Sequence, residues 1–232
     1  MNYPVDQSYV NSAIISAAGD EKGLHAGDVK FLDLDGDNKV GIGENTADNP
    51  GDRTIIGNSL PRFQYGLNLS AQWAGFDFSI FFQGVGKMDW YPATNNVLFW
   101  GPYARPYATL IPKDFHTMIW SEENPDSYLP RPRGYVALGS NRELTVPNDR
   151  YLQDISYCRL KSISFGYTLP KKWTDKIKFG DVRIYFAGEN LAYFSPFKKH
   201  SKYIDPEMAQ TNSTMRIYPW QKSYMFGIDI TL

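Results

Sequence analysis

Hydrophobic and polar residues alternate along segment 62–84 in a way that predicts two adjacent β-strands. From Phe63 to Trp73 the odd-numbered residues are apolar and the even-numbered residues are polar or glycine. The alternation resumes after Ala74-Gly75, with apolar residues at Phe76, Phe78, Ile80 and Phe82. A two-residue turn would pair Trp73 with Phe76, so both apolar rows would lie on one face of the sheet.

The length of these two runs bears on what their apolar face contacts. Each is close to the roughly ten residues that a tilted strand needs to cross a bilayer, and longer than an average soluble strand. Aromatic residues stand at the ends of the apolar rows, as they do at membrane interfaces. The polar face suits a water-filled lumen. A half-buried hairpin of a soluble β-domain would show the same alternation, so both alternatives remain open for the hairpin alone.

Three further alternating runs predict strands over 156–169, 182–194 and 221–232. Their apolar positions are Ile163, Phe165, Tyr167 and Leu169, then Val182, Ile184 and Phe186, and finally Tyr224, Phe226, Ile228, Ile230 and Leu232. The alternation is interrupted at Gly188, where we expect a β-bulge.

The connections between the predicted strands differ in length. Ala74-Gly75 and 170–180 are short, and the second contains one predicted helical turn. In contrast, 85–150 and 195–218 are long. Short turns on one side and long loops on the other are typical of outer-membrane barrels.

The acidic segment 33–44 has the spacing of a calcium-binding loop. The candidate ligands are Asp33, Asp35, Asp37, the Lys39 carbonyl and Glu44, at loop positions one, three, five, seven and twelve. Position six holds Asn38 instead of the usual glycine. Helical flanks are not predicted, because 29–34 reads as a short strand; one helix is predicted further upstream, over 7–18. The alternative is an acidic turn with solvated carboxylates.

Aromatic residues are frequent in the long segment 85–150. Long loops are usually functional, and exposed rings are what a carbohydrate or peptide pocket uses. We therefore take Trp90, Trp100, Tyr103 and Trp120 as candidate contacts to a substrate or to a lid protein. The alternative for each ring is that it packs the loop against its neighbours.

Composition narrows the functional classes. The 24 basic and 25 acidic residues give a net charge of -1, and this balance excludes a basic surface that binds nucleic acid. A single cysteine, Cys158, excludes an internal disulfide framework. The mean hydropathy of -0.43 and the lack of a long apolar run predict no transmembrane helix, and 1–17 does not resemble a signal peptide. The three histidines form no catalytic or metal-ligand pattern, so we expect no enzymatic activity.

Six ordered blocks of the sequence resemble the C-terminal part of SusC/RagA-type TonB-dependent transporters. The blocks are GDVKFLDLDGDNKV, IIGNSLPRFQYGLNLSAQWAGFDFSIFFQG, WSEENPD with PR, SYCRLKSISFGYTLPKKW, RIYFAGENLAYF with IDPE, and YPWQKSYMFGIDITL. The resemblance implies an all-β fold: the last strands of a large antiparallel, 22-stranded transmembrane β-barrel with long extracellular loops. Asn38 and Leu232 depart from the family pattern, where glycine and a terminal aromatic residue are common.

The resemblance also implies a function in the bacterial cell outer membrane. Members of this family import glycans or peptides that are captured with a SusD-like surface lipoprotein. Energy comes from TonB, which engages an N-terminal region outside this chain. The wall of such a barrel contacts outer-membrane lipid. A secreted soluble β-domain that binds calcium and carbohydrate is the alternative.

These expectations give the following organisation. Residues 1–61 form an extracellular loop region with the calcium-like loop, and 62–232 form barrel strands with long extracellular loops. Five strands cannot close a barrel, since the smallest common ones have eight. We therefore expect the N-terminal plug and most strands to belong to other parts of a longer polypeptide.

Overall fold

A computed structural model of the chain describes residues 26–37, 40–107, 109, 111–133, 137–138, 144–211 and 220–231. The helix predicted over 7–18 lies outside these residues, as do Asn38, Lys39 and Leu232. The described residues form two compact units. The sheet unit is built from residues within Asn58–Trp90, Gln153–Asn212 and Arg216–Leu232, and the loop unit from residues within Met1–Gly57 and Tyr91–Leu152.

Seven strands occur in the part of the chain that the structure describes. They are β1 (Phe63–Trp73), β2 (Phe76–Gly86), β3 (Asp89–Trp90), β4 (Gln153–Asp154), β5 (Tyr157–Thr168), β6 (Val182–Phe194) and β7 (Ser223–Ile230). Five of them form one antiparallel sheet in the order β1-β2-β5-β6-β7, and β3 pairs with β4. The structure is therefore mostly antiparallel sheet, as the alternation predicts.

The register of the large sheet aligns the apolar residues of all five strands. Trp73 pairs with Phe76, which confirms the predicted two-residue turn. One continuous row crosses the sheet through Ala71, Phe78, Phe165, Phe186 and Phe226. Because side chains alternate between faces, the other predicted apolar positions of the paired strands fall on this same face. We call it the apolar face, and the opposite surface the polar face.

A bulge interrupts the pairing of β5 with β6. Leu160 pairs with Ala192 while Ser162 pairs with Glu189, so β6 contains one extra residue between these pairs. The bulge therefore lies two residues beyond Gly188, which pairs regularly with Ile163. The predicted position was wrong because the left-handed conformation that the bulge uses is adopted by Asn190, at φ 52°; asparagine tolerates this region better than most residues.

Short helices lie in the connections. Helix α1 (Val97–Trp100) begins at Asn96, whose side chain accepts a hydrogen bond from the Phe99 amide. Helix α2 (Lys171–Thr174) continues into a 3₁₀ turn, Asp175–Ile177, which confirms the helical turn predicted there. Among the described residues, no helix has the length and apolar character required to cross a membrane.

The loop unit has its own apolar core. Among the described residues of this unit, Trp100 is fully buried, and the rings of Phe99 and Tyr151 meet its ring edge-on. Other buried residues of the unit are Tyr103, Phe115, Leu129 and Leu144. Residues within 91–152 group with residues before 58, whereas the sequence pattern placed them with the strands.

No strand forms over 29–33, so the prediction of a short strand at 29–34 was wrong. The backbone amide of Leu34 donates a hydrogen bond to the Asp52 carboxylate at 2.5 Å instead of to a neighbouring strand. The other oxygen of Asp52 accepts from the Gly41 amide at 2.6 Å. Asp52 thus joins the two ends of the acidic loop.

Candidate functional site

The apolar face of the sheet is open to its surroundings. Leu67 and Leu69 are each 50% exposed, and Phe226 is 80% exposed. Other large exposed side chains on this face are Phe63, Tyr65, Phe165, Ile184, Tyr224, Ile228 and Ile230. Soluble monomers rarely expose a contiguous apolar patch that spans several strands. The face is therefore built to contact an apolar medium or partner.

Aromatic rings concentrate at the end of the apolar face next to the two short connections. Trp73 is 79% exposed beside the Ala74-Gly75 turn. The Phe76 ring centroid lies 4.4 Å from that of Tyr167 and 5.8 Å from that of Phe165. Rings at the ends of an apolar band are typical of the interface of a membrane barrel.

The polar face carries an ion pair that crosses β5 at the same end of the sheet. Arg183 on β6 donates to both carboxylate oxygens of Asp77 on β2, at 2.8 and 2.6 Å, and to Asp229 on β7 at 3.2 Å. Gly166 on β5 lies between them. A Cβ atom at Gly166 would lie 2.5 Å from Asp77 Oδ1 and 2.6 Å from Arg183 Nε. The ion pair therefore depends on a glycine at this position.

A second charged cluster lies towards the other end of the sheet. The Arg159 side chain is 2% exposed, and its Nη2 donates to both carboxylate oxygens of Asp205 at 2.5 Å. Its Nε lies 2.9 Å from Glu207 Oε2. Lys161 donates to both oxygens of the same glutamate, at 2.7 and 3.0 Å. Two cations of β5 are thus neutralised by two acids of the segment that follows β6.

Aromatic rings flank this cluster. The Arg159 guanidinium lies 4.8 Å from the Tyr193 ring centroid, and the Lys161 ammonium lies 4.5 Å from that of Trp220. Cation–π contacts of this kind add stabilisation when they are desolvated. The ion pairs fasten Asp205 and Glu207 to the sheet, and the cation–π contacts hold the two cations against a ring of β6 and a ring just before β7. We call Arg159, Lys161, Asp205 and Glu207 the loop clasp.

The loop clasp was not predicted from the sequence, although a signal was present. Arg159 and Lys161 are two residues apart on a strand, and Asp205 and Glu207 are two residues apart in the block IDPE. Residues two apart on a strand share a face, so matching spacings of opposite charge could have suggested the pairing. The two partners of each ion pair are 46 residues apart in the sequence, so a local pattern does not indicate that they pair.

The acidic loop brings three of its predicted metal ligands together. Carboxylate oxygens of Asp33, Asp35 and Asp37 all lie within 4.8 Å of one another, and the three residues are exposed. Two oxygens that each lie 2.4 Å from a shared ion are at most about 4.8 Å apart, so this spacing fits Ca²⁺. The Gly36 amide donates to Asp33 Oδ1 at 2.6 Å and keeps the loop curled.

The fourth predicted side-chain ligand is not part of this group. Glu44 is exposed and lies outside the trio among the described residues, and Lys39 is outside the description. The chain turns at Asn45, whose φ is 58°, and the Asn45 amide bonds back to the Ile42 carbonyl. The twelve-residue spacing of a calcium loop therefore does not bring Glu44 to the aspartates here.

Two of the four candidate aromatic contacts lie in the core of the loop unit. Trp100 is 0% and Tyr103 is 1% exposed. Trp100 Nε1 donates to the Ala93 carbonyl at 3.1 Å, and the Tyr103 hydroxyl donates to the Pro130 carbonyl. In this arrangement both rings pack the loop and present no surface to a ligand.

The other two candidates differ in exposure. Trp90 is buried in the sheet unit, where its ring meets the Phe197 ring edge-on at 5.7 Å. Trp120 is half-buried and covers Gly27 with its indole ring. Of the four rings, Trp120 keeps the most accessible surface.

Buried tyrosines and one ion pair hold the loop unit together. The Tyr91 hydroxyl donates to the Leu144 or the Val146 carbonyl, at 3.1 and 3.2 Å. Burial raises the pKa of Tyr91 and that of Tyr103 above the usual tyrosine range. Arg131 pairs with Asp28 at 2.5 Å, and the aspartate side chain is 3% exposed. From the sequence, Tyr103 was predicted to contact a substrate or lid protein, and neither the role of Tyr91 nor this ion pair was predicted.

Comparison with known proteins identifies the family. No family model matches the chain. TonB-dependent receptor P3 of Formosa agariphila is 30% identical over 207 residues, which cover 86% of this chain and 18% of that receptor. TonB-dependent receptor P26 of the same organism is 28% identical over 197 residues, or 83% of this chain and 17% of the relative.

Solved structures share the fold. The RagAB peptide transporter superposes with a TM-score of 0.52 at 22% identity, covering 76% of this chain and 18% of the transporter chain. The RagAB peptide importer in its open-open state gives a TM-score of 0.50 at 21% identity, with coverage of 81% and 19%. The chain thus shares its fold with part of these transporter chains. The 30% identity over 86% of this chain shows that the chain belongs to the TonB-dependent receptor family. The chain spans less than a fifth of the length of these relatives.

Proposed function

We propose that the five-stranded sheet is part of the wall of an outer-membrane nutrient importer. The observation that carries this proposal is the continuous exposed apolar face, which crosses all five strands. The strands that carry this face are long enough to cross a bilayer, and aromatic rings lie at the ends of its apolar rows. The relatives, which are named TonB-dependent receptors, support the same conclusion.

The edges of the sheet favour a barrel over the soluble alternative. In the described part of the chain, β1 and β7 each pair on one side only. Unpaired strand edges within lipid cost several kcal/mol per polar group, so further strands must pair with both. A secreted calcium-binding β-domain would leave the apolar face and both edges in water.

The proposed orientation follows from the two kinds of connection. Ala74-Gly75 and 170–180 would lie in the periplasm, and the long segments between β2 and β5 and between β6 and β7 would lie outside the cell. The loop clasp would then hold an extracellular segment against the inner surface of the wall. The acidic loop would also be extracellular, and we propose that Asp33, Asp35 and Asp37 bind Ca²⁺ there.

The proposed cargo is a glycan or a peptide that is delivered with a SusD-like lipoprotein and imported with energy from TonB. The RagAB structures are described as those of a peptide transporter. Exposed loop aromatics would favour a glycan, but burial of Trp100 and Tyr103 removes much of that argument. Trp120 is the candidate ring that supports contact with cargo or lid, and an enzymatic role is not proposed.

Cell fractionation and uptake test this function. The receptor that contains this sequence should be recovered in the detergent-extracted outer membrane, and deletion of its gene should abolish growth on one class of glycan or peptide. Growth on monosaccharides and free amino acids is the control. Recovery of the native polypeptide as a soluble secreted protein would overturn the proposal.

A further inference from the structure

Lysines concentrate in the connection between β5 and β6. Segment 170–180 contains four lysines and one aspartate, a formal charge of +3 in a chain whose net charge is -1. The lysines are Lys171, Lys172, Lys176 and Lys178, and all four are exposed. The connection is therefore a basic segment in a chain whose remaining residues carry a net charge of -4.

Hydrogen bonds hold this connection in a defined shape at the end of the sheet. The Trp173 amide donates to the Pro170 carbonyl at 2.8 Å, and the Phe179 amide donates to the Thr174 carbonyl at 3.1 Å. The Gly180 amide donates to the Thr231 carbonyl at 2.8 Å, which ties the connection to the residue that follows β7. The lysine backbones are thus fixed relative to the strands.

The basic connection continues directly from the aromatic end of the apolar face. Tyr167, which packs on Phe76, lies only four residues before Lys171. An extended chain rises about 3.3 Å per residue, so these two positions are at most about 13 Å apart. Within the connection, Trp173 is 55% exposed, a high value for a tryptophan. Apolar band, aromatic rings and cations therefore follow one another in the order expected at a membrane surface.

We propose that 170–180 binds the headgroups of anionic phospholipids at the membrane surface where the short connections emerge. The inference rests on the proposed function, because it needs the apolar face to be in lipid. Each lysine near an anionic membrane surface strengthens binding about fivefold. The order of the groups favours lipid over free phosphate, since a free anion would gain nothing from the adjacent apolar rows and exposed tryptophan.

Native mass spectrometry of the complete receptor in detergent tests this inference. The protein is titrated with dioleoylphosphatidylglycerol, or with dioleoylphosphatidylcholine as the zwitterionic reference. We expect phosphatidylglycerol to be retained in preference to phosphatidylcholine. The double variant Lys171→Gln/Lys172→Gln should weaken retention of phosphatidylglycerol about 25-fold and leave that of phosphatidylcholine unchanged.

A matched control distinguishes the effect of charge within 170–180 from the effect of the overall charge of the protein. Lys113→Gln/Lys222→Gln removes the same charge from exposed positions outside 170–180, and it should leave both lipids unaffected. Equal losses in the two double variants would overturn the inference, as would full displacement of phosphatidylglycerol by millimolar inorganic phosphate. Retention of both lipids without preference would overturn it while leaving the barrel wall intact. Retention of neither lipid would also overturn the inference, whereas recovery of the receptor as a soluble protein without detergent would contradict the proposed function itself.

Discussion

Arg159 Nη2 lies 2.5 Å from both carboxylate oxygens of Asp205, a residue 46 positions further along the chain. The arginine side chain is 2% and the aspartate side chain 14% exposed. Removal of one partner from a buried pair leaves the other charge uncompensated. The contact therefore sets the position of the segment after β6 on the sheet.

Asp205→Asn should release this segment. Arg159 and Lys161 would then share Glu207 as their acidic partner, and the lost charge pair is expected to cost about 1 to 3 kcal/mol locally, so that the segment detaches more often. Trypsin should then cleave after Lys198, Lys199 or Lys202 more rapidly than in the parent protein. Asp175→Asn, an exposed aspartate outside the clasp, is the control and should leave the cleavage rate unchanged. Equal rates for both variants and the parent would show that the clasp does not hold the segment.

Gly166→Ala should destabilise the sheet by about 1 to 3 kcal/mol, because the added methyl group displaces the Arg183–Asp77 pair. Gly86→Ala is the matched control, since its added carbon would lie 3.6 Å from the Phe63 side chain, an ordinary contact. Urea denaturation of the receptor in lipid vesicles, followed by tryptophan fluorescence, measures both. A Gly86 variant as unstable as the Gly166 variant would contradict the role of the ion pair.

Calcium should protect the acidic loop through three aspartates. We expect replacement of Asp33, Asp35 and Asp37 by Asn to abolish Ca²⁺-dependent protection of 26–57 from protease. Glu44→Gln should retain protection, because Glu44 lies outside the trio. Loss of protection in the Glu44 variant would restore the twelve-residue ligand set. Unchanged protection in the triple variant would show that the loop is only a turn.

The loop unit should open in alkaline solution. Burial raises the pKa of Tyr91 and of Tyr103 above the unfolded value near 10, so the unfolded state loses its protons first. Their stabilising contribution is complete below pH 10 and is lost as the pH rises towards the folded pKa. Hydrogen exchange of 91–107 should therefore accelerate above pH 10, and the acceleration should be weaker in Tyr91→Phe. An exchange rate of 91–107 that rises with pH only as fast as the intrinsic rate of unprotected amides would contradict this prediction.

The strands and their shared face could be predicted from the sequence because alternation is a local signal. The turn at Ala74-Gly75 fixed the pairing of Trp73 with Phe76, and the remaining rows followed from the same period. The bulge was misplaced by two residues because glycine and asparagine both tolerate the left-handed backbone. Its position depends on pairing with β5, which local periodicity does not contain.

Contacts between residues that are far apart in the sequence could not be predicted from local patterns. The core around Trp100 and Tyr103 forms between residues of a segment with no regular period, so burial could not be distinguished from exposure in the sequence. The Arg159–Asp205 contact joins residues far apart in the chain. Glu44 fits a motif spacing, yet the turn at Asn45 redirects the backbone.

If the apolar face contacts lipid and the polar face contacts water, two neighbouring residues of β2 should differ sharply in their tolerance of arginine. Ile80 lies in the apolar row between Leu69 and Ile163, and its neighbour Ser79 lies on the polar face between Ser70 and Ser164. In the complete receptor refolded into vesicles, Ile80→Arg should lower the free energy of unfolding by about 2 to 4 kcal/mol. Ser79→Arg should fold almost as well as the parent. Equal folding of the two variants would contradict the assignment of the faces and, with it, the barrel wall.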